Sequence, residues 1–376
     1  MTRTIIDINV LQTIPPSNIN RDDTGSPKSA TYGGTRRARV SSQAWKRATR
    51  QRFKNVLDTG DLGVRTKRVV ELLGERIHKQ YPEIDSNRAQ ELAVLTFEVA
   101  KIGLTEARKS TKESPLPLES KYLLFLSSRQ LDLAAAACAT ANTADDPKAK
   151  LQSMEIKKIL NQEHSIDLAL FGRMVADSTD LNVDAACQVA HAISVHPVET
   201  EFDFYTAVDD HKAENKNTED AGAGMIGTVE FNSSTLYRYA TIDVDALHSN
   251  LGDAAATQQA VEAFVLAFTT SMPTGKQNTF ANRTLPNAVV ISVRDSQPVN
   301  LVGAFEDAIV GANRVEGASE RLARYAQEID AAFDTTPTAT WVVRAGENTA
   351  ALDVLGSRAS LKDAVQALGK TVAGRL

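Results

Sequence analysis

Hydrophobic periodicity changes character twice along this chain, and that alternation limits the folds open to it. Residues 5–12 follow the two-residue period of a strand, with Ile6, Ile8 and Val10 on one face and Asp7, Asn9 and Leu11 on the other. From 58 to 181 the period becomes helical, with helices predicted near 66–79, 88–102, 120–137 and 147–160, and a surface loop over 140–146. A further helical segment is predicted at 183–194. Strand periodicity then returns at 235–244 and 287–294, with a helix at 253–270 between them.

Residues 199–230 interrupt this alternation. They open on Asp203-Phe-Tyr-Thr-Ala-Val-Asp-Asp210 and continue through a polar stretch, 211–224, that has almost nothing to bury. A protruding arm is the expected result. A strand at 340–344 and a helix at 361–368 extend the C-terminal part. The whole order, β-α-(helical insertion and arm)-β-α-β, suits an α+β fold with a ferredoxin-like, RRM-like core interrupted by a large insertion. No internal repeat is evident, so repetition at a higher level requires several copies of the chain.

Apolar residues make up 42% and charged residues 24% of the 376, as in an ordinary globular protein. No apolar run approaches the roughly 20 residues needed to span a bilayer, so no membrane partner is expected. Cys138 and Cys187 lie far apart without a CxxC partner, which argues against a disulfide framework or a thiolate metal site and fits a reducing cytoplasm. The six histidines show no HxxxH or HxH spacing, and neither a P-loop nor GxGxxG occurs. No cofactor, metal or catalytic residue is expected. Asp209, Asp210 and His211 are adjacent in the polar arm and do not converge as an acid–base site requires.

Charge is distributed unevenly. Between Asp23 and Asp58 stand nine Lys or Arg (Lys28, Arg36, Arg37, Arg39, Lys46, Arg47, Arg50, Arg52, Lys54) and no carboxylate, although the chain as a whole carries −5. Such asymmetry is the footprint of a polyanion site. The block begins in a long Pro- and Gly-rich loop closed by Gly33-Gly34 and runs into a helix predicted from 42 to 57, with Ser41 or Ser42 as N-cap. On that helix Gln43, Lys46, Arg47, Arg50 and Lys54 share one arc, while Trp45, Ala48 and Val56 face away. Glycines that admit a phosphate, a helix start and cations one turn apart would hold a phosphodiester backbone without reading bases. Arg36, Arg37 and Arg39 are equally consistent with arginines alternating outward along a strand.

Eight motifs stand in one order along the chain: NRDD at Asn20, the block GG-x-RRARVSSQAWKRA at Gly33, GRM at Gly172, AHAI at Ala190, FYTAVDD at Phe204, IGTVEF at Ile226, YRYA at Tyr237 and GKQ at Gly275. In them the sequence resembles the CasC-type backbone subunits of the type I-E CRISPR Cascade complex. The resemblance implies a palm over 1–57, 182–198 and 231–376, helical fingers over 58–181 and a β-hairpin thumb over 199–230. Copies would line up head to tail along a CRISPR RNA, displacing a nucleotide at intervals and presenting the rest for pairing with target DNA, beside other Cascade subunits. The implied backbone-binding residues are Asn20, Arg21, Lys28, Arg39, Ser41, Gln43, Lys46 and Arg50, with Lys276, Gln277 and Asn278 as a second contact. Met174, Phe204, Tyr205, Val208 and Ile226 would be wedges and stacking surfaces. Tyr237 and Tyr239, on one strand face, read as core rather than as base-stacking aromatics.

The competing reading is a metal-dependent ribonuclease of a related RNA-targeting CRISPR complex. Asp22 and Asp23 are adjacent carboxylates in the same loop and could hold Mg²⁺, or pair with Arg21 and the basic block.

Overall fold

The computed structural model describes residues 3–108, 110–111, 116–175, 178–207 and 225–376. The chain is a mixed α+β protein divided into two compact units. One comprises Met1–Arg52, Val189–Thr241 and Phe264–Leu368; the other comprises Phe53–Gln188, Ile242–Ala263 and Gly369–Leu376.

The first unit is organised by the strand Ile5–Ser17, longer than its sequence pattern suggests. It pairs antiparallel with Ala288–Arg294 and has the long strand Met225–Asp243 as its other neighbour. Both of its faces are buried. Asp7 and Asn9, on the face that alternation alone would give to water, instead carry a polar network. The Asp7 carboxylate accepts from Tyr239 Oη at 2.7 Å, Arg294 Nε at 2.9 Å and the Val299 amide at 3.0 Å, and Asn9 Oδ1 accepts from Tyr237 Oη at 2.7 Å. Tyr237 and Tyr239 are therefore core residues, with hydroxyls satisfied as burial demands.

Two sequence expectations are corrected here, and one helix lies outside them. The loop before the basic helix contains a hairpin, Ser29–Tyr32 with Thr35–Val40, turned by Gly33 and Gly34 at φ +56° and +72°. That pair of left-handed residues is what a two-residue hairpin turn needs. The segment predicted as a helix at 183–194 is two short strands, Cys187–Val189 and Ala192–Ser194. Ile193 pairs with Arg39 on one side and Tyr237 on the other, so an Ala-rich sequence of helical propensity is drawn into a ladder that would otherwise leave both neighbours unbonded. The longest helix, Arg314–Phe333, was not read from the sequence at all. Its buried stripe of Ala318, Ser319, Leu322, Ala323 and Ala326 is too small and too polar for a clear pattern.

The basic helix runs from Ser42 to Phe53. Trp45 is fully buried beneath it. The Arg238 guanidinium lies 3.6 Å from the Trp45 ring centroid and 4.5 Å from that of Phe268. Arg238 also donates to Gln12 Oε1 at 2.5 Å and to the Phe268 carbonyl. Burial lowers its pKa to about 9, so it remains a cation at neutral pH.

The second unit is held by a cluster containing Val70, Leu73, Leu92, Phe97, Leu131 and Leu151. Val69–Gln80, Ser86–Val99 and Ser128–Asn142 are its principal helices. The helix predicted over 120–137 is in its first part the strand Leu124–Ser127, and Ser127 then forms a capping box with Gln130. The helix predicted over 147–160 breaks at Glu155, which takes φ +51°. Both cysteines are buried. Among the described residues no helix is long and apolar enough to cross a membrane.

Trp45→Ala should destabilise the protein by about 3–5 kcal/mol, the cost of emptying a large aromatic site, as measured by urea unfolding. Acid should act through half-buried His164 and buried His196. His164 is pulled down to about 4 by burial first and by Arg173 second, and burial likewise lowers His196. A depressed folded value means that the unfolded chain takes up the proton first, so this stability is complete above the ordinary histidine pKa of about 6.5 and is lost as pH falls towards 4. A urea series over that range should show wild type losing stability more steeply than His164→Gln.

Candidate nucleic-acid interface

Two segments far apart in sequence meet at the N-terminal end of the basic helix. Gly275 lies against the backbone of Asn18 and Ile19 so closely that a Cβ there would stand 2.5 Å from the Ile19 carbonyl oxygen. Only glycine permits this approach. The result is a groove of about 650 Å³, walled by the 19–25 loop, by Ala44, Arg47, Ala48 and Gln51 of the helix, and by 273–276. Arg21, Arg47 and Lys276 bring three cations to it, and Arg21 and Arg47 are exposed without an ion pair among the described residues.

The loop that forms one wall is internally tied. Asp22 Oδ1 accepts from the Thr24 hydroxyl at 2.7 Å, the Thr24 amide at 2.9 Å and the Ser26 amide at 3.0 Å. These bonds, the Thr24 hydroxyl foremost, hold the Asp22 carboxyl below its usual range. Asn20 Oδ1 accepts from the Ser41 amide at 2.8 Å and thereby fixes the loop to the helix start, where the Ser41 hydroxyl faces the Ala44 amide at 3.4 Å. Asn18 donates to the carbonyls of Gly25 and Glu230. Asn20 and buried Ser41 thus build the site as much as they offer groups to it.

A small cleft beside the groove holds Asn20, Lys28 and Arg39. Arg39 Nη1 lies 3.2 Å from His191 Nδ1, and the His191 pKa is lowered by burial, then by Arg39 and Lys28. Gln43 is exposed and Lys46 and Arg50 are half-buried on the adjoining arc of the helix. The loop's short helix Gln277–Phe280 presents exposed Asn278, while Gln277 accepts from Arg283 Nη2 at 2.8 Å. Arg47 and Arg283 are the two cations that the sequence reading did not select. Arg47 was visible on the basic arc; Arg283 had no local signal.

Not every arginine of the basic block reaches a strand lying here. Arg37 is fully buried, donating to the carbonyls of Ser194, Phe305 and Glu306 at 2.9 Å each. The outward alternation considered for it does not occur.

The arm's legs are the strand Glu201–Ala207 and the start of Met225–Asp243, paired antiparallel with Tyr205 opposite Gly227 and Thr206 opposite Ile226. Phe202 and Phe204, two residues apart on one face, are each 67% exposed, and Tyr205 lies on the other face against Gly227. Phe202 is an exposed aromatic the sequence reading passed over. Val208 and the Asp209-Asp210-His211 run lie outside the described residues, and of Ile226 only the backbone is described. In the second unit Arg173 is buried on the carbonyls of Leu181, Phe125 and Leu160, and its neighbour Met174 is 82% exposed.

Gly275→Ala should separate the two walls of the groove. Affinity for a single-stranded polyanion should fall at least about tenfold, the worth of one charged contact, while the far-UV spectrum stays unchanged; titration of a labelled oligonucleotide checks this.

A chain of a CRISPR RNA-guided surveillance complex, pre-nicking, is similar with a TM-score of 0.83 and 34% sequence identity over 98% of this chain and 100% of that one. A chain of a second CRISPR RNA-guided surveillance complex is similar with a TM-score of 0.73 and 29% identity over 98% and 99%. No curated protein matches the sequence. The model of the family described as CT1975-like protein matches residues 6–367. With nearly its whole length so matched, this chain belongs to the CT1975-like protein family.

Proposed function

We propose that this protein is a non-catalytic, guide-RNA-binding backbone subunit of a type I-E Cascade surveillance complex. In this reading copies polymerise head to tail along the CRISPR RNA, beside other Cascade subunits in the cytoplasm, and hold it for pairing with target DNA. The observation that carries the reading is the convergence of Arg21, Arg47 and Lys276 on one groove, next to Lys28 and Arg39. The likeness to chains of RNA-guided surveillance complexes supports the choice of ligand.

The chemistry follows from the residue types. Guanidinium and ammonium groups neutralise phosphates and read no base, so binding tolerates any guide sequence and weakens with salt. Phe202, Phe204 and Met174 offer apolar faces that support an unstacked base of any identity. Sequence is then read by base pairing alone, as in other RNA-guided effectors. Asp22 favours the non-catalytic reading over the ribonuclease, because its Oδ1 closes its own loop through three hydrogen bonds.

Arg21→Glu combined with Arg47→Glu should abolish assembly on guide RNA, since both side chains are exposed in the groove, and should leave the melting curve of the free chain unchanged. Assemblies of wild-type length, seen by electron microscopy after mixing with RNA, would overturn the proposal.

A further inference from the structure

A separate cavity of about 460 Å³ lies at the start of the helix Arg314–Phe333, lined in part by Ser233, Ser234, Asn313, Arg314 and Asn348 with His196. Two independent features point to an anionic occupant. First, this helix of 20 residues begins at Asn313 with no side-chain cap, so the amides of its first turn and the positive end of its dipole face the cavity without a side-chain acceptor. Second, Ser234 is only 6% exposed, lines the cavity, and has a hydroxyl with no hydrogen-bond partner among the described residues. That hydroxyl is placed to donate to an acceptor in the cavity.

The surroundings define the charge. His196 Nε2 accepts from the Thr235 amide at 3.0 Å and its Nδ1 faces the Pro197 carbonyl at 2.8 Å, an arrangement that fixes a neutral ring. Arg314 Nη1 stands 3.4 Å from His196 Nε2, which holds an exposed guanidinium at the cavity. Glu316 is the one carboxylate of the lining. Ser234 also lines the small cleft that holds Lys28 and Arg39, so the cavity continues the cationic surface already described.

We infer that this cavity is a second phosphate site, taking one phosphodiester group of a nucleic-acid strand between the amides at the helix start, the Ser234 hydroxyl and Arg314. The inference rests on the nucleic-acid-binding reading above. Its ligand chemistry is common to two sources, the guide RNA and the DNA strand paired with it.

The test uses the full chain assembled on guide RNA, comparing wild type with the double variant Ser234→Ala/Arg314→Gln and with Glu316→Gln. Binding of guide RNA, and then of complementary DNA, is titrated over a range of salt. If the guide supplies the phosphate, the double variant should bind guide RNA about tenfold more weakly. Its log–log salt slope should also fall by about 0.7, the value of one single-strand phosphate contact. If the DNA supplies it, guide binding should stay unchanged and the losses should appear in the DNA titration. Glu316→Gln should strengthen binding of the same strand. Equal affinities and equal salt slopes for both strands in all three proteins would overturn the inference and leave the proposed function standing. A wild-type chain that binds no RNA would overturn both.

Discussion

The Trp45 ring packed on the guanidinium of Arg238 is the contact on which the candidate interface depends. Arg238 sits on the long strand next to Ile5–Ser17 and donates from Nη1 to Gln12 and from Nη2 to the Phe268 carbonyl, which fixes its buried charge. Burying a cation is expensive unless its surroundings replace water, and here two aromatic faces do part of that. The basic helix is thereby pinned through its inner face. Its outer arc carries Gln43, Lys46, Arg47 and Arg50, of which Arg47 lines the groove. An outer arc of cations gains nothing from self-association, so anchoring has to come from below.

Arginine performs two opposed tasks in this protein, and composition cannot separate them. Arg37 and Arg173 are wrapped in backbone carbonyls, and Arg294 pairs with Asp7 and Asp330; all three hold chain segments together. Arg21 and Arg47 face the groove. The planar fork of five donors suits both tasks, since carbonyls and phosphates present similar acceptors. What decides is whether the residue's neighbours are sheet backbone or solvent, which is a property of the fold.

Legibility in the sequence follows the same division. The strand at 5–12, the basic helix and the strands near 235–244 and 287–294 were visible because one side chain in two, or one helical face, repeats without interruption. The hairpin around Gly33-Gly34 was missed because short strands leave little pattern, and 183–194 was misread because local propensity pointed to a helix while sheet pairing required strands. In the basic block, Lys28, Lys46 and Arg50 were legible as clustered cations from composition and helical spacing. The meeting of the 19–25 loop with 273–276 was not, because it depends on a backbone contact at Gly275 that no periodicity encodes. Phe202 was overlooked because its sequence context resembles any strand, and only its exposure marks it out.

The claim that cationic side chains hold a strand by its phosphates, indifferent to its bases, is tested most directly by measuring RNA affinity against salt for several unrelated guide sequences. The account predicts parallel, steep lines, with log affinity falling by about 0.7 per contacted phosphate for each unit of log salt, and closely similar affinities at any one salt concentration. A flat salt response, or affinities that separate by guide sequence, would contradict it.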